Sequence, residues 1–377
     1  MRILHIIPSL PKGGAERLVL DICIELQKRK GIEVKLITLF DFNEFESETQ
    51  NIDHILIPSH IQLSITGKSI ISAEKLSDYI EKFKPDIIHT HLFEAELIGR
   101  WNIIKDIKYF SHFHNNMHQF RNISLKTFFD KERLTDVYDK LVISRKYKIC
   151  DNSFIAISQN TKFFLQDVLS IKKQNIHLIP NAINLNQFKY QQKESNQLDE
   201  IKLISVGRTD KNKNHTFLLD VVAEIKKKGK NVSLTIVGVG EQLEQLKSKA
   251  IQLQIPVRFT GNIDAIEDEL INHNIYVHSA FTEALGLTLI EAMATGLPVI
   301  TLDGGGNRDL IIEGVNGFML KEQNCETFAN RIISLIDDKN LYLQISENAF
   351  AFAQSFDIKK YVDTLLSIYQ ESLNHSF

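Results

Sequence analysis

Cysteine is scarce in this chain: Cys23, Cys150 and Cys325 are the three in 377 residues, and they lie far apart. Such spacing excludes a disulfide scaffold and forms no metal or redox pattern, so each thiol is expected as a small buried hydrophobe in a reducing compartment. Long hydrophobic runs are missing too, and nothing approaches the ~20 apolar residues that cross a bilayer. The first apolar run, Ile3-Leu4-His5-Ile6-Ile7, is closed by Pro8, Ser9, Pro11 and Lys12, too soon for a signal peptide. A cytoplasmic protein is expected, with contact at the cytoplasmic face of a membrane left open. Charge of one sign is also lacking: 44 basic against 47 acidic residues leave a net charge of −3, and nothing global favours nucleic acid as a partner.

The chain instead carries short apolar runs alternating with segments of helical periodicity. Runs at 2–7, 33–39, 53–57, 86–90, 107–112, 153–158 and 175–179 are short and rich in β-branched residues, as buried strands are. Helices are expected between them at 15–29, 68–83 and 93–104. A polar stretch around Gln191–Asn196 interrupts the rhythm, which restarts with strands near 201–206, 232–237, 256–260, 274–278 and 297–301. This is an α/β chain with two consecutive doubly wound domains, their parallel sheets covered on both faces. We expect an N-terminal domain over 1–187, a linker over 188–200 and a C-terminal domain over 201–355. A C-terminal helix follows over 356–377, with return to the N-terminal domain as one option. Ligands of such sheets bind beyond the carboxyl ends of the strands, so the loops there are the ones to read.

After the first strand come Gly13 and Gly14, which fit equally a tight turn or an anion held by open backbone amides. Two His-x-His pairs, His89/His91 and His112/His114, end two other strands. Alternate strand residues share a face, which would suit a metal. With no carboxylate or cysteine beside them, contact with a sugar or phosphate is the stronger expectation, and no metal is assigned. Val206-Gly207-Arg208 with Lys211 and Lys213 suits a diphosphate, although a solvated basic loop has the same look. Gly238-Val239-Gly240 lacks the third glycine of a dinucleotide fingerprint, so a nicotinamide cofactor is not expected. The segment from Ser279 to Ile300 reads as strand end, loop, helix and next strand, with Glu283 before the helix and Glu291 within it. Amides of Gly286, Leu287 and Thr288 at the helix start would meet a phosphate, one glutamate on either side. Gly304-Gly305-Gly306 would let backbone approach a ligand closely.

Glu283-x7-Glu291, set within Glu-Ala-Leu-Gly-Leu-Thr-Leu-Ile-Glu-Ala-Met-Ala-Thr-Gly-Leu-Pro-Val, resembles the signature of the retaining glycosyltransferase family 4. Gly13-Gly14-Ala15-Glu16, His114, Ile155–Ser158, Ile179-Pro180-Asn181, Val206-Gly207-Arg208 with Lys213, Val237–Gly240 and Asn316-Gly317-Phe318 follow the family's order. The resemblance covers nearly the whole chain. It implies a GT-B architecture of two facing Rossmann-like domains with an inter-domain cleft. It further implies a UDP- or GDP-sugar donor, no metal or other cofactor, and a glycan or lipid-linked glycan acceptor in surface polysaccharide biosynthesis. By position, Arg208, Lys213 and the Gly14 amide would hold the diphosphate and Glu291 the ribose. Glu283 with the amides of Gly286 and Leu287 would hold the sugar and β-phosphate, and His114 would touch the sugar near the reacting carbon. Ala182 and Leu285 depart from the usual Gly and Phe, which bears on hinge geometry and donor choice. A nucleotide-sugar epimerase of the same fold is the alternative. The basic, aromatic-bearing segment 120–148 is expected either as a solvated helical insert or as a surface for anionic lipid headgroups.

Overall fold

The computed structural model describes residues 1–64, 68–120, 131–191 and 200–374, and among them the chain forms two compact units. The first comprises 1–181 together with 358–377, the second 182–357. The boundary thus falls before the expected linker, most of which (192–199) lies outside the described residues. Residues 182–187, expected to close the N-terminal domain, join the second unit because Ile183 pairs with the chain at Phe356 and Asp357.

In the first unit the strands are β1 (Arg2–Ile7), β2 (Glu33–Thr38), β3 (His54–Leu56), β4 (His60–Gln62), β5 (Ile70–Ser72), β6 (Ile87–His91), β7 (Lys108–Phe113), β8 (Asn152–Ala156) and β9 (Ile176–Leu178). Its helices are α1 (Gly14–Gln27), α2 (Glu46–Thr49), α3 (Glu74–Phe83), α4 (Phe93–Gly99), α5 (Lys131–Ile149) and α6 (Gln159–Asp167). Seven strands make one parallel sheet in the order β3-β2-β1-β6-β7-β8-β9, so the order reverses between β1 and β6. The helix expected over 68–83 is shorter: β5 takes 70–72 and pairs antiparallel with β4, and α3 begins only at Glu74. The helix expected over 93–104 ends at Gly99.

Beneath this sheet lies a polar brace that nothing in the sequence marked. The fully buried Arg100 guanidinium contacts the Glu96 carboxylate at 2.9 Å and donates to Thr90 and Ser111 at 2.7 Å each and to Asn152, tying β6, β7 and β8 together. A charge so placed is tolerable only because its donors are met.

The second unit has β10 (Ile201–Val206), β11 (Val232–Val237), β12 (Val257–Gly261), β13 (Ile275–His278), β14 (Val299–Leu302) and β15 (Gly317–Leu320). Its helices are α7 (His215–Lys227), α8 (Leu243–Gln252), α9 (Ile266–Ile271), α10 (Leu287–Ala294), α11 (Cys325–Asp337) and α12 (Lys339–Ala353). The sheet is parallel, β12-β11-β10-β13-β14-β15, and reverses between β10 and β13. Alternating faces of β10 and β11 bury Leu203, Leu234 and Ile236 against Leu218, Val222 and Ile225 of α7. Truncating one such leucine to alanine should cost roughly 3 kcal/mol. α13 (Ile358–Asn374) leaves this unit and packs with the first, where its Tyr369 meets Phe110 and His89. Among the described residues no helix is long and apolar enough to cross a membrane.

Candidate functional site

Within the second unit, the two loops at the strand-order reversal are those after β10 and β13. That is where open α/β sheets collect ligands. The first carries Gly207, Arg208 and Lys213, the second Glu283 and Gly286. Asn212 stitches them together: its amide donates to the Thr282 carbonyl at 2.9 Å and its carbonyl oxygen accepts from the Thr282 N–H at 3.1 Å and hydroxyl at 2.7 Å. The Ser279 hydroxyl adds bonds to the carbonyls of Lys213 and Asn214 at 2.8 and 3.0 Å.

Lys213 Nζ lies 2.7 Å from Glu283 Oε2, and His278 Nε2 approaches the same oxygen at 3.1 Å. Burial by itself would raise the Glu283 carboxyl. The Lys213 ammonium and the His278 contact outweigh it and hold the group down at about 2. His278, on β13, and His215, at the start of α7, are both pushed down by burial, His215 to about 3. Around the Lys213–Glu283 pair, burial thus favours the neutral form of both imidazoles. Arg208 is largely exposed and pairs with Asp210 at 3.0 Å, while Asp210 also accepts from the Lys213 amide. Asp210, Asn212 and His278 belong to this constellation and escaped sequence reasoning. The first two follow Arg208 within four residues, a signal available but weak.

Gly286 precedes α10 at φ 91°, a left-handed conformation that favours glycine, and the first-turn amides of Leu287 and Thr288, like those of any helix start, have no intrahelical acceptor. The Thr288 hydroxyl accepts from Tyr276 at 2.7 Å. Glu291 sits half-buried one turn further along α10. Two glycine motifs lie hard against the protein's own backbone. A Cβ on Gly238 would stand 2.2 Å from the Gly207 carbonyl oxygen, so Gly238 lets the β11 end pack on the turn that presents Arg208. A Cβ on Gly306 would stand 2.0 Å from the Ala284 carbonyl oxygen. The Gly304–Gly306 run also bonds the backbone of Glu283: the Glu283 N–H donates to the Gly304 carbonyl at 2.7 Å and its carbonyl accepts from the Gly306 N–H at 2.8 Å. The triple glycine clamps the glutamate's backbone.

In the first unit, Gly13 caps α1 in an extended conformation and Gly14 opens the helix, whose Arg17 N–H bonds back to the Gly13 carbonyl at 3.0 Å. A Cβ on Gly13 would meet the Glu16 carboxylate at 2.3 Å, so the turn is tight. The strand pairings put His5, His89, His91, His112 and His114 on one face of β1, β6 and β7. All but His114 are fully buried. The side chain of His118 lies outside the described residues.

In the basic segment, α5 accounts for 131–149, whereas 121–130, with Lys126, Phe128 and Phe129, lies outside the described residues. Lys140 donates to the Phe120 carbonyl at 3.2 Å and Lys146 to the Trp101 carbonyl at 2.6 Å, so these two lysines brace the helix against its own unit.

The family model described as Glycosyltransferase Family 4 matches residues 12–187, and that for glycosyl transferases group 1 matches 186–352. This chain belongs to family 4 of the glycosyltransferases. It resembles an uncharacterized glycosyltransferase of Haemophilus influenzae, at 29% identity over 54% of this chain and 55% of the relative, so it spans about half of that protein's length. It is 25% identical to the UDP-Gal:α-D-GlcNAc-diphosphoundecaprenol α-1,3-galactosyltransferase of Escherichia coli, over 82% of this chain and 81% of that enzyme. Among solved structures, HepE of Anabaena in complex with UDP and glucose matches with a TM-score of 0.80 at 21% identity, covering 98% of this chain and 100% of that one. The fold is accordingly GT-B, two Rossmann-like parallel-sheet domains in one chain.

Proposed function

We propose that this glycosyltransferase moves a hexose from a UDP- or GDP-sugar to a glycan or lipid-linked glycan acceptor, with retention at the anomeric carbon, in surface polysaccharide biosynthesis. The observation that carries the reading is the Lys213–Glu283 pair at the β10/β13 reversal, beside Arg208 and the start of α10. Arg208 and Lys213 take the diphosphate, as a planar fork and a point charge. Amides of Gly286, Leu287 and Thr288 add donors at the positive end of the helix. Glu291 takes the ribose hydroxyls and Glu283 the sugar hydroxyls. These side chains and dipoles stabilise the leaving diphosphate without requiring a metal. Contact of His114 with the sugar, and of the Gly14 amide with phosphate, rests on the family resemblance alone.

Support for the donor comes from the UDP and glucose bound to the Anabaena protein, and for a lipid-linked acceptor from the named substrate of the Escherichia coli enzyme. The exposed Leu141 and Ile149 of α5, with Arg145 and Lys148 exposed nearby, favour peripheral contact with anionic membrane. A thermal-shift screen of nucleotide sugars tests the donor, because a ligand that binds only the folded state raises its stability. A UDP- or GDP-sugar should raise the melting temperature, and transfer should survive excess EDTA. The anomeric NMR signal of the product should keep the donor's configuration. No shift with any nucleotide sugar, loss of activity in EDTA restored by Mn²⁺, or an inverted product would each overturn the corresponding part.

A further inference from the structure

Five imidazoles share one face of the first unit's sheet, and three of them form a chain. His5 Nδ1 lies 2.9 Å from His91 Nε2, and His91 Nδ1 lies 3.0 Å from His114 Nε2. Ring centroids are 5.2 and 5.3 Å apart, with planes inclined by 18° and 32°. Centroids separated by the N···N distance plus about two ring radii, in nearly parallel planes, describe rings lying edge to edge with the hydrogen bond along their shared direction. Two further contacts are face to face: His112 stacks on His114 at 4.0 Å and His89 on His91 at 4.5 Å.

Burial pushes the pKa of all three chain members down, that of His5 and His114 to about 3 and that of His91 well below the ordinary histidine range. A neutral imidazole has one N–H and one lone pair. His91 is engaged at both nitrogens, so it donates at one and accepts at the other, and the three tautomers are coupled. Protons run either toward His114, leaving an N–H on His114 Nδ1, or toward His5, leaving one on His5 Nε2. Both terminal nitrogens are buried without a hydrogen-bond partner among the described residues. They differ in place. His5 is inside β1 and wholly buried, whereas His114 follows the end of β7 and is partly exposed. An orphaned N–H deep in the core is the rarer and costlier defect, while a bare lone pair is more tolerable.

We propose that His5 and His91 are positioning residues that lock His114 in its Nδ1–H tautomer, presenting a neutral hydrogen-bond donor at the end of β7. The acceptor it suits is an uncharged or anionic oxygen, such as a sugar hydroxyl or a phosphate oxygen. The role of that donor in transfer rests on the assignment of His114 as a substrate contact. The same rings include two three-histidine sets, His5–His89–His91 and His91–His112–His114, with ligand atoms within 4.8 Å of one another. Nitrogens at 2.9 and 3.0 Å are closer than the roughly 3.3 Å between ligands at tetrahedral zinc bond lengths. A metal held by the first set would have to displace the His5–His91 bond, and one held by the second the His91–His114 bond.

Long-range proton–nitrogen NMR of the imidazoles in the full-length protein reads the tautomers directly. His91 and His114 should each carry the proton on Nδ1 with Nε2 bare. His91→Phe should shift His114 toward the Nε2–H form and lower kcat for sugar transfer about tenfold, leaving UDP and GDP affinity unchanged. Wild-type His114 protonated on Nε2 overturns the proposal, as does an unchanged His114 signal in a folded His91→Phe variant or one zinc per chain bound through His91. If His91→Phe does not fold, the wild-type spectrum alone decides. Should the tautomers be as stated while kcat is unmoved, the lock stands and the assignment of His114 as a substrate contact falls.

Discussion

Lys213 and Glu283, seventy positions apart in sequence, form a 2.7 Å ion pair at the strand-order reversal of the second unit. The carboxyl is held at about 2, below its ordinary value, so the pair contributes stability above pH about 4.5 and loses it as pH falls toward 2. Lys213→Met leaves the Glu283 carboxylate with the His278 contact but no cation and should cost roughly 3 kcal/mol at pH 7. Urea denaturation should show that deficit narrowing as pH drops below about 4. A deficit that is independent of pH would mean the pair is not the source.

Glu291 and Glu283 should separate in their effects. A ribose contact persists in ground and transition states alike, so Glu291→Gln should weaken UDP or GDP binding about tenfold. Glu283→Gln should spare nucleotide affinity and lower turnover about a hundredfold, as charge develops on the sugar it holds. Calorimetry with free nucleotides checks the first and steady-state kinetics the second. Equal losses of affinity in both variants would end the division of labour.

Gly306→Ala places a Cβ 2.0 Å from the Ala284 carbonyl oxygen and must displace the backbone that presents Glu283. Turnover should fall by roughly a hundredfold, since small misplacements of a contact group are that costly. Gly31→Ala is the control: a Cβ there meets nothing within 4 Å, so only its positive φ of 79° costs stability. Kinetics together with melting temperature distinguishes the two. A fully active Gly306→Ala enzyme would remove the clamp from the account.

The α5 surface should bind anionic vesicles at low salt through residues that have no bracing role. Arg145→Glu with Lys148→Glu should reduce sedimentation with such vesicles and leave nucleotide affinity intact. Lys140 and Lys146 make poorer probes, because their removal also loosens α5 from Phe120 and Trp101. Wild-type protein that ignores the vesicles would dispose of the membrane contact.

The sequence by itself determined the two-unit α/β order, since buried parallel strands must be short continuous apolar runs and their covering helices must be amphipathic. It also marked the loops after β10 and β13, because Arg208, Lys213 and Glu283 stand there and Glu291 follows in the helix of a specific Glu-x7-Glu block. Strands β4, β5 and β15 escaped it: three or four residues are too few to display a period of two. The tertiary structure alone decided which groups meet. Lys213 finds Glu283 because β10 and β13 are neighbours only after the sheet assembles. His5 joins His91 because β1 pairs with β6, placing side chains from distant positions on one face. That Gly304–Gly306 packs against the backbone of Glu283 and Ala284 is likewise visible only once the chain is folded, because those neighbours come from a different strand end.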